Sequence, residues 1–153
     1  MKKNNFRKVY HSPVLNCIDA AKERNIKLKQ ELKTILLKSS STVIAIHLRA
    51  CDKVSIRTVK KLFRIKNLTF LPKNYLSQRE LSPGLINPWN IPFCQYNLVC
   101  RKVLHNKFMA TNNQKFTQGV FFNIEVLLEL PNLIFGNFSY ENKTEYSGSC
   151  RFN

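Results

Sequence analysis

Leu32-Lys33-Thr34-Ile35-Leu36-Leu37-Lys38, then Thr42-Val43-Ile44-Ala45-Ile46-His47-Leu48 across Ser39-Ser40-Ser41, is the stretch that decides the fold. Each half is a short run rich in β-branched and aliphatic residues, and the serines between them are turn formers. The pair therefore predicts two antiparallel strands. Side chains alternate across a strand, so Lys33, Ile35 and Leu37 share one face, while Leu32, Thr34 and Leu36 share the other. A lysine in line with two apolar side chains has two readings. It is an edge lysine whose stem snorkels to water, or an ammonium held at a pocket mouth for a phosphate or substrate oxygen.

Helices flank this pair. Ser12-Pro13 predicts a helix start, with a hydroxyl cap followed by proline at the first helical position. Val14, Leu15, Ile18 and Ala21 follow at helical spacing to about Arg24. Ser55 predicts a second cap, for a helix with Ile56, Val59, Leu62 and Phe63 on one face and Arg57, Lys60, Lys61 and Arg64 on the other. Leu68 to Leu71 is a candidate strand, and Tyr75 to Leu81 a short helix stopped by Ser82-Pro83-Gly84. Strand-like pieces follow at 97–100, 108–111 and 119–123, then a helical spacing over Ile124 to Leu130 and a last strand at 132–135. This order predicts a mixed α/β (α+β) fold, a single domain with helices packed around a mixed sheet. The ends are read as a basic N-terminal arm (1–11) and a polar, disordered tail (139–153), flanking a domain over 12–136.

Charge narrows the function. The 153 residues hold 25 Lys and Arg against 9 Asp and Glu, a formal +16. The imbalance is concentrated: residues 1–66 hold 17 basic side chains against 4 acids, the remainder 8 against 5. Such a field suits a polyanion, because neutralising phosphates releases counterions. A generic solvated basic surface is the plainer alternative. No apolar run is long enough to span a bilayer, and no apolar stretch of signal-peptide length follows the basic start, so a cytoplasmic protein without a membrane partner is expected.

Catalytic constellations are scarce. There is no G-x-S-x-G, H-E-x-x-H or phosphate-loop motif, and nine acids with three histidines leave little for a triad. The five cysteines are an odd number without a C-x-x-C pair, and read as reduced thiols in or near the core. Cys94, Cys100 and His105 match no usual zinc spacing, so neither metal nor cofactor is expected. What remains is Lys33 and the loop Pro83-Gly84-Leu85-Ile86-Asn87-Pro88-Trp89. That loop is a simple turn, or a stiff one whose glycine lets a ligand approach the main chain and its N–H donors.

Taken together and in this order, the two features resemble the YbaK/prolyl-tRNA editing-domain family, deacylases that hydrolyse mischarged aminoacyl-tRNA. Glu31-Leu32-Lys33-Thr34-Ile35-Leu36 is similar to the family's strand with a lysine before Thr-Leu. Gly84-Leu85-Ile86-Asn87-Pro88-Trp89 is similar to its G-x-x-x-P loop followed by an aromatic. The resemblance runs from about Ser12 to about Gly136. It implies a mixed, partly barrel-like sheet and catalysis carried by Lys33, Gly84 and Pro88. The lysine would hold the aminoacylated end of tRNA and the loop backbone would position the carbonyl. Water attacks the ester with help from a ribose hydroxyl of the substrate, and no metal is needed.

The chain departs from the family at three places. Asn87 stands where Ser or Thr is common, Cys100 replaces an Asp, and Thr111-Asn112-Asn113 replaces a small glycine-containing segment. By the resemblance, Asn87, Trp89, Cys100, Thr111 and Asn112 contact the substrate. Trp89 either stacks on an unpaired base at the tRNA 3′ end or anchors the loop in the core. Arg57, Lys60, Lys61 and Arg64 are the expected RNA contacts. The expected function is a trans-acting aminoacyl-tRNA deacylase. The alternatives are an inactive relative that binds tRNA or an aminoacyl-tRNA synthetase, and a basic structural protein with a chance match.

Overall fold

A computed structural model describes residues 5–141. The predicted pair forms as β2 (Leu32–Ser39) and β3 (Thr42–Arg49), antiparallel with Ile35 opposite Ile46. Ser40 takes left-handed backbone at the turn (φ 52°). β3 then pairs parallel with β6 (Tyr96–Cys100), and β6 parallel with β9 (Leu133–Gly136). The two-residue β5 (Thr69–Phe70) caps the other edge at Leu37 and Lys38. These five strands make one mixed sheet, in the order β5-β2-β3-β6-β9.

Both faces of this sheet are covered, which is why β2 and β3 read as nearly continuous apolar runs. On one face Leu37, Ile44, Ile46, Leu48 and Leu98 pack with Met109, Phe122 and Val59. On the other, Leu36, Val43 and Ala45 pack under Leu71, Leu76 and Ile86. Met109 and Phe122 belong to a second, antiparallel sheet, in the order β1 (Phe6–Tyr10), β8 (Gln118–Asn123), β7 (Phe108–Asn112). The sheets stay open. Among the described residues, the closure expected of a barrel goes no further than one parallel bridge, between Glu31 and Ala110.

Several expectations are corrected. The basic arm is a strand over Phe6–Tyr10, hydrogen-bonded along β8. Pairing continues beyond it, with His11 N–H to Thr117 O and Val14 N–H to Phe116 O, both at 3.0 Å. This extended run carries the chain past Ser12-Pro13, so the helix begins one turn later. α1 spans Cys17–Glu23 and is capped by Asn16, whose side chain accepts from Asp19 N–H at 2.8 Å. Leu15, expected in the apolar stripe, is 80% exposed.

The first residues of the expected tail are also paired: β10 (Ser139–Glu141) lies antiparallel to β4 (Asp52–Val54). The remainder of that tail lies outside the described residues. Ile124–Glu129 coils as a 3-10 helix, and Pro83–Leu85 makes one 3-10 turn inside the loop read as irregular. α2 (Ile56–Phe63) is capped by Ser55 as the sequence predicts. α3 is Lys73–Ser77, shifted toward the N-terminus from its expected bounds.

Candidate active site

β5 covers β2 only at Leu37 and Lys38, so the other half of β2 has an open edge facing the end of β7. There a narrow cleft of about 20 Å³ is lined by Lys33, Thr34, Pro83, Gly84, Thr111, Asn112 and aliphatic neighbours. Four of the expected site residues, Lys33, Gly84, Thr111 and Asn112, are thus brought together from three separated segments. Lys33 is half-buried and is the one ionisable side chain lining the cleft.

A buried ion pair holds the cleft in shape. Arg24, just past α1, pairs with Glu31 through Nη1, with both side chains nearly free of solvent. Burial pushes the Arg24 guanidinium below its usual value, and the charge of Glu31 opposes that push. Arg24 Nη2 donates to Asn112 Oδ1 at 2.6 Å, and Asn112 Nδ2 donates to the Gly84 carbonyl. His11 closes the other side. Its Nδ1 lies 2.8 Å from Ser12 O, and its Nε2 accepts from Arg24 Nε at 3.3 Å. Gly119 makes room for this guanidinium, since a Cβ there would collide with Arg24 Nε.

Asn87 staples the loop from the other end. Its Nδ2 donates to Asn112 O at 3.2 Å, its Oδ1 accepts from Trp89 N–H at 2.9 Å, and its own N–H donates to Asn90 Oδ1 at 2.9 Å. Leu85 N–H is engaged by Ser82 O. Among the loop's N–H groups, those of Gly84 and Ile86 have no hydrogen-bond partner among the described residues. The glycine is not needed for left-handed backbone, because no described glycine has positive φ.

A second polar chain runs under the cleft. Thr34 Oγ1 lies 2.8 Å from His47 Nδ1, His47 Nε2 lies 2.8 Å from Asn97 Oδ1, and Asn97 Nδ2 donates to Pro131 O at 2.9 Å. His47 is fully buried, and burial pushes its pKa down to about 4. Sequence reasoning left out Arg24, His47 and Asn97. The one visible signal was a histidine inside the apolar run of β3.

Other expected site residues lie elsewhere. Pro88 and Trp89 line a separate cavity with Asn97 and Pro131. Trp89 sits edge-on to Phe6 and Phe122, with ring centroids 5.1 Å away in each case, so the loop-anchor reading is the one its packing fits. Cys100 is corrected outright: it is 1% exposed in the main core, and burial pushes its thiol up to about 11. Arg57, Lys60 and Lys61 line an open groove on α2 with Ile56 and Ile65, and Arg64 is exposed at its C-terminus. None of the four takes part in an ion pair among the described residues.

The sequence matches the model of the aminoacyl-tRNA editing domain over residues 11–109. The chain belongs to that family. Among similar solved structures, a hypothetical protein is 17% identical over 88% of this chain and 91% of its own, with a TM-score of 0.78. A protein proposed to be a trans-editing enzyme for prolyl-tRNA synthetase is 12% identical over 88% and 87%, with a TM-score of 0.77. A structure from computational epitope grafting onto scaffold proteins is 12% identical over 90% and 88%, at 0.78. These likenesses show the editing-domain fold. No curated protein matches the sequence. The matched stretch contains Lys33 and the whole Gly84–Trp89 loop, and ends before Thr111 and Asn112. Among the described residues no three of His, Cys, Asp or Glu cluster to hold a metal ion, and no helix is long and apolar enough to cross a membrane.

Proposed function

We propose that this editing domain is a trans-acting deacylase that hydrolyses the ester of mischarged aminoacyl-tRNA. The observation that carries the reading is the convergence of Lys33, the Gly84 loop, Thr111 and Asn112 on one cleft. The Lys33 ammonium pairs with a phosphate or ribose oxygen at the tRNA 3′ end. The N–H groups of Gly84 and Ile86 donate to the aminoacyl carbonyl oxygen as charge develops on it. Water adds to the carbonyl carbon, the carbon–oxygen bond to the ribose breaks, and free amino acid and tRNA leave. The proton passes to the departing ribose oxygen, with the neighbouring ribose hydroxyl assisting. The reaction needs neither metal nor cofactor.

Arg57, Lys60, Lys61 and Arg64 supply unpaired positive charge for the tRNA backbone, in the cytoplasm where charged tRNA is found. The structural likeness to a protein proposed to serve prolyl-tRNA synthetase makes a synthetase a natural second partner. The test is single-turnover hydrolysis of a panel of mischarged tRNAs. Release of at least one amino acid, slowed about 10- to 100-fold in Lys33→Ala, supports the reading. Tight tRNA binding without turnover would make the chain an inactive relative that binds tRNA or a synthetase. Neither binding nor turnover would leave a basic structural protein.

A further inference from the structure

Two threonines line the cleft, and the hydrogen of each hydroxyl is already committed. Asn97 Nδ2 donates to Pro131 O, so Asn97 Oδ1 is an acceptor and His47 Nε2 must carry the proton that meets it. His47 is neutral, held so by full burial, and its Nδ1 is therefore a bare lone pair. Thr34 can only donate to it. Thr111 Oγ1 donates to Leu32 O at 3.1 Å, since a carbonyl can only accept. Both hydroxyl oxygens thus have only lone pairs left to offer a further partner.

The cleft volume of about 20 Å³ is the room one water needs, about 10–15 Å³ or a little more. We infer that Thr34 and Thr111 together hold the single attacking water of the deacylation as a double donor, with His47 and Asn97 as positioning residues that lock the polarity of Thr34. A water giving both hydrogens away keeps its lone pairs free for the ester carbonyl held beside it at the Gly84 loop. As its oxygen bonds to the carbonyl carbon and the ester bond breaks, one of its two hydrogens leaves its threonine acceptor and passes to the departing ribose oxygen. Because Lys33 stands at the same cleft, a neutral donor is favoured there over the cationic α-amino group of the substrate.

The inference rests on the deacylase reading and is tested by nucleophile choice. Wild type, Thr34→Val, Thr111→Val and the two serine variants are compared on one good mischarged tRNA, with and without hydroxylamine. Each valine variant should lose about 10- to 100-fold in kcat for hydrolysis with KM little changed, because the water is no longer aimed. Hydroxylamine needs no such aim, so the ratio of hydroxamate to free amino acid should rise about as much. The serine variants keep the hydroxyl and should restore both values. Hydroxamate formed without enzyme is subtracted and the melting temperature of each variant is measured alongside, so loss of folded protein is told apart from loss of the water site. Wild-type ratios and wild-type kcat in both valine variants would overturn the water site while leaving the deacylase reading intact. A wild type that hydrolyses no aminoacyl-tRNA overturns both.

Discussion

Asn112 is where the two sheets and the loop are tied together, and replacing it tests the site's architecture. Its side chain serves two buried partners, the charged Nη2 of Arg24 at 2.6 Å and the carbonyl of Gly84. Asn112→Ala strands both. A hydrogen bond to a charged group is worth about 1.5–3 kcal/mol, and a buried carbonyl left unpaired costs about 1–3 kcal/mol. Arg24 Nη2 keeps fallback acceptors in His11 Nε2 at 3.2 Å and Gln118 O at 3.4 Å, which trims the first figure. The expected loss is about 3 kcal/mol, or roughly 6–12 °C in Tm for a chain of this size.

Asn112→Asp separates the two bonds. The carboxylate still accepts from Arg24, now charge to charge, but it has no donor for the Gly84 carbonyl and repels it. Stability should fall by only about 1–2 kcal/mol. Deacylation should fall about 100-fold in both variants, because the loop that holds the ester is released. Urea denaturation and single-turnover hydrolysis measure the two effects. Equal melting of Asn112→Ala and wild type would show that the clamp carries no load. Wild-type turnover in Asn112→Asp would show that the Gly84 loop does not need it.

Three other outcomes are expected. Lys33→Ala should lower turnover about 10- to 100-fold with little change in Tm, since no buried partner charge is left behind; Lys33→Arg should rescue poorly, and wild-type rates in Lys33→Ala would remove it from the site. Neutralising Arg57 and Lys61 together should weaken binding of all tRNAs alike and lower the salt slope by about 1 per lost phosphate contact; an unchanged slope places the RNA surface elsewhere. His47 should add a pH-dependent component to stability, measured by urea denaturation at pH 4.5 and 7.5. It stays neutral in the folded chain down to about 4, whereas the unfolded chain protonates it near 6.5. Its contribution is therefore complete above about pH 6.5 and is lost toward pH 4, about 3 kcal/mol in all. His47→Gln should flatten that part of the curve, and an unaltered pH dependence would contradict its neutral burial.

The fold was legible where burial is continuous and local chemistry agrees with it. β2, β3 and the strands at 96–100, 108–112 and 118–123 are short runs buried almost throughout, and α2 starts at its Ser55 cap with Val59 on its buried face. What escaped was structure made by partners. Phe6–Tyr10 carries two basic residues and is largely exposed, and is a strand because β8 offers it a ladder. Ser139–Glu141 is held by β4 and by Glu141 reaching Arg49 at 3.3 Å. Helical spacing at 124–129 reads alike for α and 3-10 coiling, since i and i+3 coincide in both.

The site divides along the same line, and the division has a physical cause. Lys33 and Gly84 could be read because each breaks a local rule, a lysine on an apolar strand face and a glycine between two prolines. Their meeting could not be read, because the seam between the sheets has almost no ladder. One bridge at Glu31–Ala110 joins them, and the rest is side-chain chemistry: Thr111 to Leu32 O, Asn112 to Gly84 O, and Arg24 to Asn112 and Glu31. Apolar periodicity is blind to such contacts, since each involves a polar residue that a sequence reading assigns to the surface. Arg24 follows a helix rich in charged residues and looks solvated, yet its side chain is wholly buried. A buried guanidinium is tolerated only when its hydrogen bonds are satisfied, and here satisfying them draws α1, β2, β7 and β8 to one point. The cleft opens beside that point, so the group that looks least catalytic in the sequence sets the geometry of the groups that look most so.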